Sequence, residues 1–492
     1  MSLKKRVLKD TLQYTAANYL AMAIGIPLSI IMKAILGPAG SGQWALIKVF
    51  GSYGEYSDLG TRNAMIREIP QAVGAGDEIR QDKIRDAAFS FTFLASFFSA
   101  AVIFAVSFFA GGGPVIRQGM RVLAFLVATT QFYNFSLTLL RTGKKVGALS
   151  VIIVLNMILV AVFSVAGALW KGVPGLVAGT FLATVFSVLS ARRFGHLKFR
   201  FDWDWTEIRR LLWIGFPMVI VSYALVTFLS IDSVLIAKML GARELGYYTI
   251  GLMSIQQISA LGRFSQIILI PHIQERYGQT GVLGETAPFF VRTTHALGYF
   301  LPLVIGLVFF FVPVAVHYCL RNFESGVPAM KILVLGYFFV AVNEMSSTVL
   351  FTANKQKDLI PILGAVILAA AGLIVFFIRA GRGIEGVALA SSVAYFLLFL
   401  CTFCYAFWHL IGAAKVFRMA AEIGLVFVYF AGAALVVDRA VHWGPFWAEA
   451  LLKYVLFVLL IVPVLWRLEK KEKIFALLSR LAGFGRLKEA VG

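Results

Sequence analysis

Apolar stretches of about 20 residues recur from one end of the chain to the other, divided by short segments rich in Lys, Arg, Gly and Pro, and that length suits helices crossing a bilayer. The pattern predicts an all-α polytopic membrane protein with about 14 transmembrane helices. They are placed near residues 12–36, 42–66, 86–110, 121–140, 146–170, 173–191, 211–238, 245–270, 286–316, 329–352, 358–379, 384–410, 418–438 and 446–466. Helices are expected because hydrocarbon offers no water to backbone N–H and C=O groups, which must pair within their own segment. The tryptophans support this division independently, since indole rings prefer the headgroup level. Trp44, Trp170, Trp203, Trp205, Trp213, Trp408, Trp443, Trp447 and Trp466 all stand at predicted span ends or in short connections.

One polar interruption has the look of a nucleotide-binding loop. In "GPAGSGQW" at 37–44, Gly37 and Gly42 have the spacing of the glycines in a phosphate cradle. Such a loop needs Lys and then Ser or Thr after the second glycine, to reach the phosphates and hold Mg²⁺, and here Gln43 and Trp44 follow. The stretch has a partner further along instead. "ILGPAGSGQWAL" at 35–46 aligns with "MLGARELGYYTI" at 239–250, which sets Gly42 against Gly246, and "GVPGLVAG" at 172–179 resembles "GIEGVALA" at 383–390. Each pair occupies the same place in a six-span half, so the chain reads as two parallel six-helix repeats plus two C-terminal helices, with the substrate site expected between the halves. The predicted organisation is an N-terminal bundle over 1–191, a cytoplasmic linker over 192–210, a second bundle over 211–410, two additional transmembrane helices over 411–466 and a basic tail over 467–492. Residues 37–42 are then expected to turn a tight exoplasmic hairpin.

Of the 492 residues 60% are hydrophobic, the mean hydropathy is +0.84, and Lys plus Arg outnumber Asp plus Glu by 45 to 25. The cations sort by membrane side. With "MSLKKRVLK" inside, roughly 30 fall on that side and about 10 on the other, which places both termini in the cytoplasm. The net charge of +20 is therefore chiefly a topology signal, with attraction to membrane lipids second, and no nucleic-acid partner is expected because the basic residues form no motif. The linker "RRFGHLKFRFDWDWTEIRR" and the basic tail both suit segments lying at the membrane surface. The first apolar stretch is too long for a signal-peptide core and is expected to remain as a span. Cys319, Cys401 and Cys404 are the only cysteines, and "CTFC" at 401–404 lies within a span, where packing is the expected role. No metal-ligand spacing, nucleophile elbow or catalytic triad stands out, and neither metal nor cofactor is expected.

Charged side chains are costly inside a bilayer and mark function by default. The second span carries Lys48, Glu55, Asp58 and Arg62, which a continuous helix would set on one face over roughly 21 Å. That stripe reads either as the wall of a wet cavity or as a self-neutralising ladder in which Asp58 and Arg62, four residues apart, hold helices together. The eighth span shows Gln256, Ser259, Arg263 and Gln266 on one face, and "ALGR" at 260–263 echoes "DLGTR" at 58–62. Arg62 and Arg263 thus take near-equivalent places toward the cytoplasmic half of the membrane. A guanidinium there suits a phosphate or diphosphate, with Lys48 and Lys33 as further cations, while snorkelling to the interface is the plainer role for each arginine. Asp232 and Glu344 sit in spans with no cation near in sequence, and Glu344 aligns with Asn134 of the other half. Together with Glu55 and Asp58 they are candidates for proton or sodium coupling, and Asn134 and Gln256 for lining the cavity; a helix-packing hydrogen bond is the alternative. His295 is read as structural.

On "ILGPAGSGQWALI", "YSDLGTRNAMIREIP", "SIDSVLIAKMLGARELGYYTIG" and the two "GxxG" elements at 172–175 and 383–386, the sequence resembles the polysaccharide transporter branch of the multidrug/oligosaccharidyl-lipid/polysaccharide exporter superfamily. The resemblance covers the first twelve spans. It implies a membrane transporter and not an enzyme: an export flippase that moves an undecaprenyl-diphosphate-linked oligosaccharide across the bacterial inner membrane by alternating access. It also implies a cationic central cavity, lined by the spans that hold Arg62 and Arg263, and polysaccharide polymerase and export machinery as partners. About twelve spans are usual in that branch, and fourteen in its relative the peptidoglycan lipid II flippase, whose last two help hold the lipid tail. The two additional spans here keep a lipid II flippase as an alternative, beside a cation-coupled multidrug exporter and a membrane glycosyltransferase, polymerase or ligase. The arginine pair favours an anionic substrate over cationic drugs, and the short exoplasmic connections disfavour an enzyme.

Overall fold

The computed structural model describes residues 3–111, 113–195, 197, 199–259, 287–353 and 355–472. Among the described residues there is no β-strand. α1 (Leu3–Gly54), α2 (Thr61–Gly74), α3 (Glu78–Phe109), α4 (Pro114–Thr142), α5 (Val146–Gly195) and α6 (Trp205–Met239) are followed by α7, helical over residues 242–259. After it come α8 (Ala287–Cys319), α9 (Val327–Thr352), α10 (Leu359–Arg379), α11 (Gly383–Ile411), α12 (Ala413–Ala440) and α13 (Phe446–Glu472). Eleven helices among the described residues are long and apolar enough to cross a membrane, as an all-α polytopic protein requires. The expected count of fourteen is not reached by counting helices. α5 contains two of the predicted spans, α1 contains the first and part of the second, and the predicted span 245–270 runs beyond the described residues.

Both long helices break where sequence places a turn. α1 breaks at Gly37 (φ 64°, ψ −177°) and α5 at Lys171 and Gly172 (Gly172 φ 59°, ψ −134°). Pro38 follows Gly37 directly and Pro174 follows Gly172 after one residue, and a ring-fixed φ with no N–H to satisfy suits the first turn of a new helix. A Cβ on Gly37 or Gly172 would meet nothing within 4 Å, so glycine is needed there for its left-handed backbone and not for room. The break lets the two limbs of α5 fold back on each other. A Cβ on Gly167 would lie 2.0 Å from the Gly175 carbonyl oxygen, Asn156 Nδ2 donates to Ser187 Oγ at 2.9 Å, and Phe163 stacks on Phe186.

The predicted second span, 42–66, is not one helix. α1 ends at Gly54, residues 55–60 form successive turns with Leu59 (φ 46°) and Gly60 (φ 85°) left-handed, and α2 begins at Thr61. Asp58 competes with the helix by accepting from the N–H groups of Gly60 (3.4 Å) and Arg62 (3.3 Å). Gly60 also meets α6 backbone to backbone, since a Cβ on Gly215 would lie 2.1 Å from the Gly60 carbonyl oxygen.

The chain divides into two compact units, Met1–Thr249 and Ile250–Gly492. In the first, Ile47, Met120, Leu123, Val173 and Val177 form a buried cluster joining α1, α4 and α5, and Met65, Ile84, Phe135 and Leu211 belong to another joining α2, α3, α4 and α6. α6, expected as the first helix of the second repeat, therefore packs within the first compact unit, and the division between units falls inside α7 and not at the linker. The described linker residues outside helices are 197 and 199–204.

In the second unit, close approach does what burial from water does in a soluble protein, because lipid is as apolar as the side chains it would replace. A Cβ on Gly336 would lie 2.2 Å from Ser392 Oγ, which seats α9 against α11, and Thr402 Oγ1 donates to Asn343 Oδ1 across the same pair at 2.8 Å. A Cβ on Gly306 of α8 would lie 2.1 Å from the Phe457 ring, so α13 is keyed into a notch on α8. Asp438 of α12 is bridged by Lys331 of α9 (2.5 Å) and Lys453 of α13 (3.2 Å).

Candidate functional site

The first unit contains a cavity of ≈ 330 Å³ walled by α1, α4 and both limbs of α5, its polar groups set among apolar ones such as Leu123, Val127 and Val160. Lys48 and Glu55 enter it from the second limb of α1, seven residues apart and on one face; Glu55 keeps the helical bond to Gly51 O at 3.1 Å although the helix ends one residue earlier. α4 supplies Thr130, Tyr133 and Asn134, and α5 supplies Asn156 from its first limb and Thr180 and Thr184 from its second. Lys48 and Glu55 are exposed, and the cavity gives these charged groups a polar environment inside an apolar bundle. One ammonium, one carboxylate, two amides and several hydroxyls suit a hydroxyl-rich ligand that carries an anionic group.

Sequence reasoning named Lys48, Glu55 and Asn134 among these and missed Asn156, Tyr133, Thr130, Thr180 and Thr184. Trp44 is a correction of another kind. Eight of the nine tryptophans are exposed, as interfacial anchors should be, while Trp44 lines the cavity.

Asp58 and Arg62 lie just past the cavity, at the turn into α2, and are not on the helix that carries Lys48. Arg62 Nε is 3.5 Å from Asp58 Oδ2, and its Nη2 donates to the Glu55 carbonyl at 3.0 Å. Asp58 and Arg62 are thus paired with each other, and Lys48 is the cation among the residues that line the cavity. Two further buried charged residues, Lys33 and Asp232, are each hydrogen-bonded to α7. Buried Lys33 of α1 donates to Thr249 Oγ1, and Thr249 Oγ1 donates to Gly246 O at 2.6 Å. Asp232 of α6 is buried, accepting from Tyr248 Oη (2.8 Å) and from the N–H (2.6 Å) and hydroxyl (3.1 Å) of Ser233.

In the second unit Gln256 is exposed on α7 and Glu344 is half-buried on α9, where Thr348 Oγ1 donates to its carbonyl at 2.9 Å. Arg263 and Gln266 lie outside the described residues. Among the described residues no group of three or more His, Cys, Asp or Glu is placed to hold a metal ion.

A charge-bearing cavity walled by membrane-crossing helices is an arrangement suited to a membrane transporter. The fold agrees. It is similar to the lipid II flippase MurJ in an inward closed conformation (TM-score 0.64, 14% identity, 94% of this chain and 99% of that one). It is also similar to a multidrug resistance MATE family transporter of the MOP superfamily, inward-facing (TM-score 0.59, 14% identity, 82% and 99%), and to a MOP superfamily transporter from Pyrococcus furiosus (TM-score 0.57, 14% identity, 84% and 96%). Within this fold residues 31–273, just under half of the chain, match the family described as polysaccharide biosynthesis protein. The resemblance to the polysaccharide transporter branch is thereby borne out. No curated protein sequence matches the chain significantly.

Proposed function

We propose that the protein is a flippase that carries a polyprenyl-diphosphate-linked oligosaccharide across the bacterial inner membrane by alternating access, with both termini cytoplasmic. The observation that supports this most is the cavity of ≈ 330 Å³ that gathers Lys48 and Glu55 with Asn134, Asn156 and three threonines. In this reading the amides and hydroxyls bond glycan hydroxyls, Trp44 and Tyr133 offer faces to sugar rings, and Lys48 faces diphosphate charge while the polyprenyl tail stays in lipid. Arg62 and Arg263 are proposed as further diphosphate ligands, Arg62 by exchanging Asp58 for a phosphate oxygen, with Lys33 contributing positive potential. Proton or sodium coupling is proposed through Glu55, Asp58, Asp232 or Glu344. Polysaccharide polymerase and export machinery are the proposed partners.

Proteoliposomes holding a fluorescent polyprenyl-diphosphate oligosaccharide test this reading through the rate at which the glycan becomes accessible on the far side. Transport by wild type that Lys48→Ala and Asn156→Ala reduce supports it, and no transport by the wild-type protein overturns it. A second reading, a lipid II flippase, draws on the two helices α12 and α13 and on the similarity to MurJ over 94% of the chain. Competition between lipid II and the oligosaccharide lipid separates the two, and an exporter of cationic drugs would respond to neither.

A further inference from the structure

Residues 199–204, which lead into α6, are built as a platform and not as a loose tether. The backbone N–H groups of Arg200 and Asp202 donate to Asp86 Oδ1 (3.1 Å) and Ser90 Oγ (2.8 Å), one turn apart on α3. Phe199 and Phe201 follow the same helix, their ring centroids 4.3 Å from Phe89 and 6.1 Å from Phe93. Asp204 then starts α6 by accepting from the N–H groups of Thr206 (3.0 Å) and Glu207 (3.2 Å). On this strapped backbone Trp203 and Trp205 stack with centroids 6.2 Å apart, and both are exposed.

Arg192, Arg193, Arg200 and Arg209 are exposed on and beside the same segment, and Arg192 is held over the Phe199 ring at 5.9 Å. Asp202 is the one exposed carboxylate among the described residues from 197 to 209. Both flanking helices are long and apolar enough to cross a membrane, so connectivity sets the platform at a bilayer surface. Indoles at headgroup depth beside several guanidiniums form a surface that is apolar below and cationic above. A zwitterionic headgroup brings its own ammonium to cancel its phosphate, whereas an anionic one leaves the charge for the arginines.

We propose that this platform is a binding site for anionic phospholipid headgroups, with Trp203 and Trp205 seated among the upper acyl carbons and Arg192, Arg193, Arg200 and Arg209 engaging the phosphate. The site depends on the protein lying in a bilayer and not on the identity of the cargo, so it can fail or hold independently of the export reading.

The test uses the full chain in nanodiscs containing phosphatidylglycerol or phosphatidylcholine brominated on the upper acyl carbons. The signal from the platform is the difference in fluorescence quenching between wild type and the Trp203→Phe/Trp205→Phe variant. Brominated phosphatidylglycerol should quench this signal at lower mole fraction than brominated phosphatidylcholine. Each Arg→Gln change should weaken that preference about five-fold, the effect of removing one cation from a charged membrane surface. Equal quenching by the two lipids in wild type, or a preference unchanged in the quadruple Arg→Gln variant, overturns the proposal. Because Arg193, Arg200 and Arg209 are exposed, thermal stability in phosphatidylcholine discs should be the same for their Arg→Gln variants as for wild type.

Discussion

Gly42 and Gly246 meet through their backbones, and the contact is reciprocal. A Cβ on Gly42 would lie 1.7 Å from the Ala242 carbonyl oxygen, and a Cβ on Gly246 would lie 1.8 Å from that of Pro38. Ala242 precedes Gly246 by four residues as Pro38 precedes Gly42, the arrangement a local twofold axis produces. Sequence similarity pairs these same two glycines. The hairpin matched to its later copy is also in contact with it.

Glycine is needed at Gly42 for room and at Gly37 for backbone freedom, and the two needs have different causes. Gly42→Ala and Gly246→Ala must push one backbone off another and should each destabilise by about 1–3 kcal/mol or more. Gly37→Ala adds a methyl to open space and should cost about 1–3 kcal/mol from the backbone alone, because φ 64° with ψ −177° is essentially reserved for glycine. Thermal and denaturant unfolding in detergent micelles measures both. A loss below about 1 kcal/mol at position 42 or 246 would contradict the backbone contact.

Lys48 and Arg62 should separate in binding assays. Removing the cavity's cation should weaken diphosphate-lipid binding about 10- to 150-fold in Lys48→Ala, the worth of one charge-assisted contact, and Lys48→Arg should recover part of it. Arg62→Ala should have a smaller effect on affinity, because its guanidinium is bonded to Asp58 and to the Glu55 carbonyl. Titration of a fluorescent lipid-linked glycan against each purified variant gives the order. A larger loss for Arg62→Ala would make the turn, and not the cavity, the diphosphate site.

Glu68 of α2 is shared by two arginines, Arg210 of α6 at 3.1 Å and Arg80 of α3 at 3.4 Å. Its carboxylate is buried, while Arg80 is half exposed and its contribution is screened by solvent. Glu68→Gln should therefore cost the most, about 1–3 kcal/mol, Arg210→Gln less, and Arg80→Gln within a few tenths of wild type. Melting temperatures of the three variants at low and high salt test the ranking, and a loss as large for Arg80→Gln as for Glu68→Gln would reverse it.

The attachment of α13 to the second unit rests on Phe457, which is fully buried against the notch at Gly306. Phe457→Ala should destabilise by about 3 kcal/mol through the cavity it leaves. Asp438→Asn should act separately by leaving Lys331 and Lys453 without their shared carboxylate. Both variants should make the α12–α13 connection more sensitive to limited proteolysis. Protection equal to wild type in the two variants would show that other contacts hold these helices.

The turns at Gly37 and Gly172 were legible because a glycine followed closely by proline interrupts an apolar run at a cost no continuous helix accepts. Lys48, Glu55 and Asn134 were legible for a related reason, since a charge or amide in hydrocarbon must face something polar. Thr180 and Thr184 were not. Each hydroxyl donates to the carbonyl four residues earlier, at 2.9 and 2.8 Å, so neither raises the cost of its helix and neither disturbs the hydropathy pattern. The break after Gly54 was hidden too, because Asp58 and Arg62 keep helical spacing while their side chains bond the turn. Trp44 has the sequence context of an anchor and the surroundings of a cavity-lining ring, and only packing separates the two.

Gln131 gives the break after Gly54 a mechanical meaning. Its buried amide donates to the Gly54 carbonyl at 2.5 Å and to Ser57 Oγ at 2.9 Å, so the elbow between α1 and α2 is clamped to α4. A free elbow would behave as a bearing and let α2 swing alone. Clamped, it behaves as a crank: a displacement of α4 at Gln131 passes through one amide into the start of α2, and α2 in turn meets α6 where Glu68 pairs with Arg210.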